Sequence, residues 1–159
     1  MLFRSGRKIQ FYPITSKAHR YDDGRRTLFS YRQECGEEYF RKTECEVIKK
    51  AAEMKNVVIA TGGGVVLNEQ NIENLRKTGV IFNLSPDFSV IRERLEEARK
   101  TRPLLKRDSI ENIKKRFDDR KPFYDNCDYK IKVIHGRTPR SYAMEILEIM
   151  ESSQGAGKQ

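Results

Sequence analysis

Three consecutive glycines, Gly62-Gly63-Gly64, follow the apolar, β-branched run Val57-Val58-Ile59-Ala60-Thr61. Such a run reads as a buried strand that delivers bare backbone to one end of a sheet. Without a Cβ, glycine lets amide groups approach an anion or a polyol closely. A tight turn after the strand accounts for one glycine, or two. Three in a row point to a ligand site.

Basic residues supply the second chemical signal. The chain of 159 residues carries a formal charge of +9. The excess is concentrated in 1–33, with eight Lys/Arg against two Asp/Glu, and in 92–121, with twelve against seven. The second cluster surrounds a loop, Thr101–Asp108, instead of following one helix face, and no aromatic stacking motif accompanies it. That pattern fits a small anion such as a nucleotide better than nucleic acid. Charged residues on a solvated surface are the plainer alternative for any one of them.

The positioning elements follow from periodicity. Phe40, Val47, Ile48, Ala51 and Ala52 recur at helical spacing and predict a helix over about 36–54. Asn68 can cap a short helix carrying Ile72 and Leu75, ended by Gly79. Val80–Leu84 is predicted as a second core strand. Ser85-Pro86-Asp87 then opens a helix that buries Ile91, Leu95 and Ala98, with Ser85 as cap. Ser109 caps a helix presenting Ile110, Ile113 and Phe117. Tyr129–Val133 alternates with Lys130 and Lys132 as an edge strand, and Thr138-Pro139 begins a last helix with Tyr142, Ile146 and Ile149 on one side. Strands alternating with helices imply an α/β fold with a parallel sheet, in which ligands sit beyond the carboxyl ends of the strands. Gly62–Gly64 falls there.

Length and composition favour one domain with one core. No apolar run reaches the roughly 20 residues that span a bilayer, and Arg4, Arg7 and Lys8 interrupt any leader-like segment. Cys35, Cys45 and Cys127 lack metal-ligand spacing and read as reduced thiols in a cytoplasmic protein. With only His19 and His135 available, no metal site is expected.

Four motifs in order carry a family resemblance. Gly36-Glu37-Glu38-Tyr39-Phe40-Arg41-Lys42-Thr43-Glu44, Ile59-Ala60-Thr61-Gly62-Gly63-Gly64, Arg102-Pro103-Leu104-Leu105 and Arg120-Lys121-Pro122-Phe123-Tyr124 together resemble shikimate kinase over about 34–150. The resemblance implies a three-layer α/β/α, P-loop kinase-like fold. It also implies transfer of the γ-phosphoryl of ATP, with Mg2+, to the 3-hydroxyl of shikimate. A monomer that engages neither nucleic acid nor membrane is expected.

By the same resemblance, Arg41 and Arg120 bind the substrate carboxylate, for which a guanidinium fork is suited. Gly62, Gly63 and Gly64 line the substrate, with the amides of Gly63 and Gly64 in contact. Arg102, in a lid at about 99–110, neutralises charge at the transferring phosphate. Arg137 and Pro139 pack on adenine. On spacing alone, Arg41 reads instead as an ion-pair partner of Glu37 or Glu44.

The first third departs from the family. No G-x-x-x-x-G-K-[ST] loop is present, and Phe3-Arg4-Ser5-Gly6-Arg7-Lys8 holds one glycine with no hydroxyl residue after the lysine. Phe11-Tyr12-Pro13-Ile14-Thr15 stands where the family has Phe-Tyr-Asp-x-Asp. Residues 1–33 are therefore expected to be an atypical basic segment, with first strand and phosphate loop altered or absent. Residues 34–151 form the kinase-like domain and 152–159 a disordered tail. Impaired catalysis is expected. A non-catalytic relative that still binds shikimate, or another small-molecule P-loop kinase such as a gluconate kinase, are the alternatives.

Overall fold

The computed structural model describes residues 10–14, 28–101 and 109–155. Predictions that fall on 1–9, 15–27, 102–108 and 156–159 lie outside them, among these the remnant loop at 3–8, Thr15, Arg102 and the end of the predicted tail. Backbone contacts divide the chain into two compact units, Met1–Val80 and Ile81–Gln159.

In the first unit, strand β1 (Gln10–Ile14) pairs in parallel with β2 (Val57–Thr61), from Gln10 opposite Val57 to Ile14 opposite Thr61. A parallel pair needs a crossover, and the long helix α1 (Leu28–Ala52) lies between the two strands in sequence. Helix α1 is broken at Gly36, whose φ of 83° and ψ of 174° belong to glycine. The segment after the break is the helix predicted from periodicity. It buries Phe40, Val47, Ile48 and Ala51 against Ile14 and Val65, with Ile59 and Leu75 packed alongside. Each of the larger side chains among these, Phe40, Val47 and Ile48, stabilises by roughly 1.5–3 kcal/mol when taken from water.

The strand-end glycines lead into a 3-10 turn (Val65–Leu67), then helix α2 (Glu69–Arg76). Asn68 caps α2 as predicted, its side chain accepting from the Gln70 amide at 3.0 Å. The buried Asn71 donates to the Val65 carbonyl at 3.1 Å and fixes the turn against the helix. Gly79 closes the segment by donating to the Leu75 carbonyl.

In the second unit, β3 (Phe82–Pro86) pairs in parallel with β4 (Tyr129–Val133). This strand starts two residues later than the predicted Val80–Leu84. Ile81 is engaged outside the ladder: its amide donates to the Asp128 carboxylate at 2.8 Å. Its carbonyl accepts from the Asp128 and Tyr129 amides. Val80 is exposed accordingly.

The shift also corrects the cap of helix α3 (Phe88–Thr101). Ser85 and Pro86 are strand residues opposite Lys132 and Val133, and the Asp87 carbonyl accepts the first helical amides, those of Val90 and Ile91. Helix α4 (Ile110–Asp125) is capped by Ser109, which accepts from the Asn112 amide at 3.1 Å, as predicted. Helix α5 (Pro139–Gly155) packs Tyr142, Ile146 and Ile149 on Ile131, Val133 and Phe82. It continues to Gly155, past the predicted start of the tail at 152. Among the described residues the strands form two two-stranded sheets, β1–β2 and β3–β4.

Candidate functional site

The site is built in the first unit where β2 ends. Gly62 extends the ladder by one bond, donating its amide to the Ile14 carbonyl at 3.2 Å, and its own carbonyl accepts from Val65. That amide is therefore engaged by the fold, and no atom would crowd a Cβ at Gly62. Here the plainer reading, a turn glycine, describes the geometry.

Gly64 is different. Its φ of −88° and ψ of −15° suit any residue, so conformation does not demand glycine. Proximity does. A Cβ at Gly64 would stand 2.5 Å from Nη1 of Arg41, 2.9 Å from Nη2 and 3.1 Å from Cζ. The structure thus brings together two of the residues picked out in the sequence, one from mid-α1 and one from the strand-end turn.

Arg41 is held from its own helix as well. Its Nε and Nη2 share one oxygen of Glu37, at 2.9 and 2.8 Å, and its Nη1 donates to Glu44 at 2.6 Å. The guanidinium carbon lies 4.9 Å from the centre of the Phe40 ring. Spacing offered Glu37 or Glu44 as the partner; both are used. Burial pushes the Arg41 pKa down, and the hydrogen bonds and charge of Glu44, then of Glu37, outweigh it, leaving the group above its ordinary value. The side chains differ in depth: 48% of Glu37 is exposed, against 9% of Glu44.

The remaining candidates belong to the second unit. Arg120 is half-buried on α4. Arg137 lies over the Tyr142 ring at 4.5 Å and is clasped by Glu145 at 2.5 Å and by the Ser141 hydroxyl and carbonyl. The Tyr142 hydroxyl in turn accepts from the Ile134 amide and donates to its carbonyl. Sequence reasoning placed Tyr142 in the core and passed over Glu145. The signal was present: Arg137, Ser141 and Glu145 are spaced at four. Pro139 opens α5, with Thr138 accepting the Ser141 amide as its cap.

Within the basic stretch 92–121, Arg92 and Lys114 form exposed i,i+4 pairs with Glu96 and Asp118. These two are solvated surface charges. A groove of 580 Å³ between α1 and α2 is lined by Lys42, Cys45, Lys49, Asn74 and Lys77 among others. None of the predicted site residues lines it, and backbone chemistry at the end of β2 is the better guide here. Among the described residues, no three His, Cys, Asp or Glu stand together as metal ligands.

Comparison with known proteins adds the family. The shikimate kinase family model matches residues 25–151. A shikimate kinase of Caldicellulosiruptor bescii is 44% identical over 115 residues, 72% of this chain and 66% of that protein. Another, of Caldicellulosiruptor saccharolyticus, is 47% identical over 97 residues, 60% of this chain and 56% of that protein. The chain thus spans less than two thirds of the length of either. The solved shikimate kinase of Acinetobacter baumannii in complex with shikimate superposes with a TM-score of 0.74 at 26% identity, covering 91% of this chain and 80% of that one. The fold class is that of these kinases, the α/β class with a parallel sheet expected from the sequence.

Proposed function

Because this chain belongs to the shikimate kinase family, we propose that it binds shikimate through Arg41 and the backbone of Gly63 and Gly64. In this reading it is the acceptor side of a kinase that moves the γ-phosphoryl of ATP to the 3-hydroxyl. The observation that carries the reading is the guanidinium of Arg41 set against Gly64. A carboxylated polyol needs both partners there, a charged fork for the carboxylate and peptide donors for hydroxyls. Arg120 and Arg102 keep the roles that the family pattern gives them, a second carboxylate-binding guanidinium and the cation at the transferring phosphate.

The nucleotide is supported at one end. Arg137 offers a flat cation, fixed by Tyr142, Ser141 and Glu145, that suits an aromatic base. The phosphate end does not fit. These 159 residues contain no phosphate-loop sequence. Pro13, paired opposite Ala60, stands where the family has the first of two aspartates, and it offers no ligand to Mg2+. Impaired turnover is therefore proposed. A monomer in the cytoplasm is the proposed setting; no helix among the described residues is long and apolar enough to cross a membrane.

Calorimetry with shikimate, paired with a coupled assay for ADP release, tests the reading. Binding of shikimate with slow turnover is expected. Binding with no consumption of ATP would make the chain a non-catalytic relative. A preference for gluconate, or no binding of shikimate, would overturn the assignment.

A further inference from the structure

We infer that Glu37 occupies the Arg41 guanidinium in place of the substrate's carboxylate and is exchanged for it on binding. The inference rests on the reading above and names how that site is regulated. A guanidinium has five N–H donors along three edges. The edge formed by Nε and Nη2 is closed by the shared oxygen of Glu37, and Nη1 is taken by Glu44.

The third edge, between Nη1 and Nη2, faces Gly64. The distances from the missing Cβ rise from 2.5 and 2.9 Å at the nitrogens to 3.1 Å at Cζ. That order puts the point in front of the nitrogens and near the guanidinium plane, not over its face. An oxygen bonded to both nitrogens would need the same place, within bonding distance of Gly64 itself. This edge closes against the glycine, and an incoming carboxylate has to take an edge already held by a carboxylate.

Depth decides which one leaves. Glu44 is 9% exposed, and removal of its partner would strand a buried charge; Glu37 is 48% exposed, so its carboxylate keeps contact with water when it leaves the guanidinium. With both in place the three groups sum to one negative charge, which opposes an anionic ligand. Exchange of Glu37 for the substrate keeps that total unchanged and returns the two-point hydrogen bond. A neutral ligand of the same shape gains nothing from the exchange. The device therefore selects for a carboxylate strong enough to compete.

The test titrates shikimate and its methyl ester into the full chain, as wild type and as Glu37→Gln. The substitution is expected to tighten shikimate binding by roughly two- to fivefold, the range of a half-exposed ion pair, and to leave the ester unchanged. Circular dichroism monitors the fold. Equal or weaker binding of shikimate by Glu37→Gln, or equal tightening for acid and ester, would overturn the exchange while leaving shikimate binding intact. A wild-type chain that binds neither compound would overturn the function proposed above, and the exchange with it.

Discussion

Nη1 of Arg41 lies 2.5 Å from the point where a side chain at Gly64 would begin. Real Cβ atoms essentially never come so close to another atom, so a side chain at position 64 would require the Arg41 guanidinium to move. The relationship brings two distant stretches of sequence, mid-α1 and the end of β2, to one place. It also separates the glycine triplet into parts. Gly62 serves the ladder through Ile14, and Gly64 makes room for a guanidinium.

Gly64→Ala is expected to displace the guanidinium while leaving the backbone intact, since φ and ψ at that position suit alanine. Shikimate affinity should fall by about tenfold or more as the guanidinium shifts, whereas stability should change by no more than about 1 kcal/mol, because the clash falls on the flexible end of a part-exposed side chain. Calorimetry and a thermal melt on the same sample separate the two effects. An unchanged affinity would show that Arg41 has no part in holding the ligand.

At Gly36 the constraint is the backbone, not space. A Cβ there meets nothing within 4 Å, but φ is +83° and ψ 174°. Gly36→Ala is therefore expected to cost about 1–3 kcal/mol through backbone strain alone. Because Glu37 follows directly, the substitution should also disturb the clasp on Arg41. Chemical denaturation measures the first effect, and a melt unchanged from wild type would refute it.

Cys127 is half-buried at the end of α4, and desolvation pushes its thiol pKa up; the Asn83 amide hydrogen bond opposes this without cancelling it. Its alkylation should therefore be slower than that of a free peptide thiol at pH 8 and should rise with pH to a midpoint above the ordinary thiol range. A raised acid pKa favours the neutral folded form, so its contribution is present below the unfolded thiol's pKa and is lost as pH climbs through the folded value. Alkylation rates measured from pH 7 to 10.5 check this, and a midpoint at the free-thiol value would contradict it.

Much of the fold was legible because it rests on local periodicity. The helical spacing of Phe40, Val47, Ile48 and Ala51 predicted which face of α1 is buried, and Asn68 and Ser109 sit as caps where their side chains can accept helix amides. Val57–Thr61 and Tyr129–Val133 agree residue for residue with the observed strands. The slip of β3 by two residues has a nonlocal cause. Asp128, 47 positions away from Ile81, binds its backbone and delays the ladder. That same slip turned Ser85 from a helix cap into a strand residue.

Residue types and spacing, with no coordinates, determined the family pattern, the glycine turn at the end of a core strand and the naming of Glu37 and Glu44 as possible neighbours of Arg41. Spacing along a helix makes such pairs possible but cannot rank them, because the i,i+3 and i,i+4 positions lie equally near. Only the tertiary structure decided that both carboxylates are used, one deep and one exposed, and that Gly64 closes the remaining edge. Those facts depend on how far β2 carries its turn toward α1, a distance set by the packing of Ile14, Ile48 and Val65 and written in no single segment.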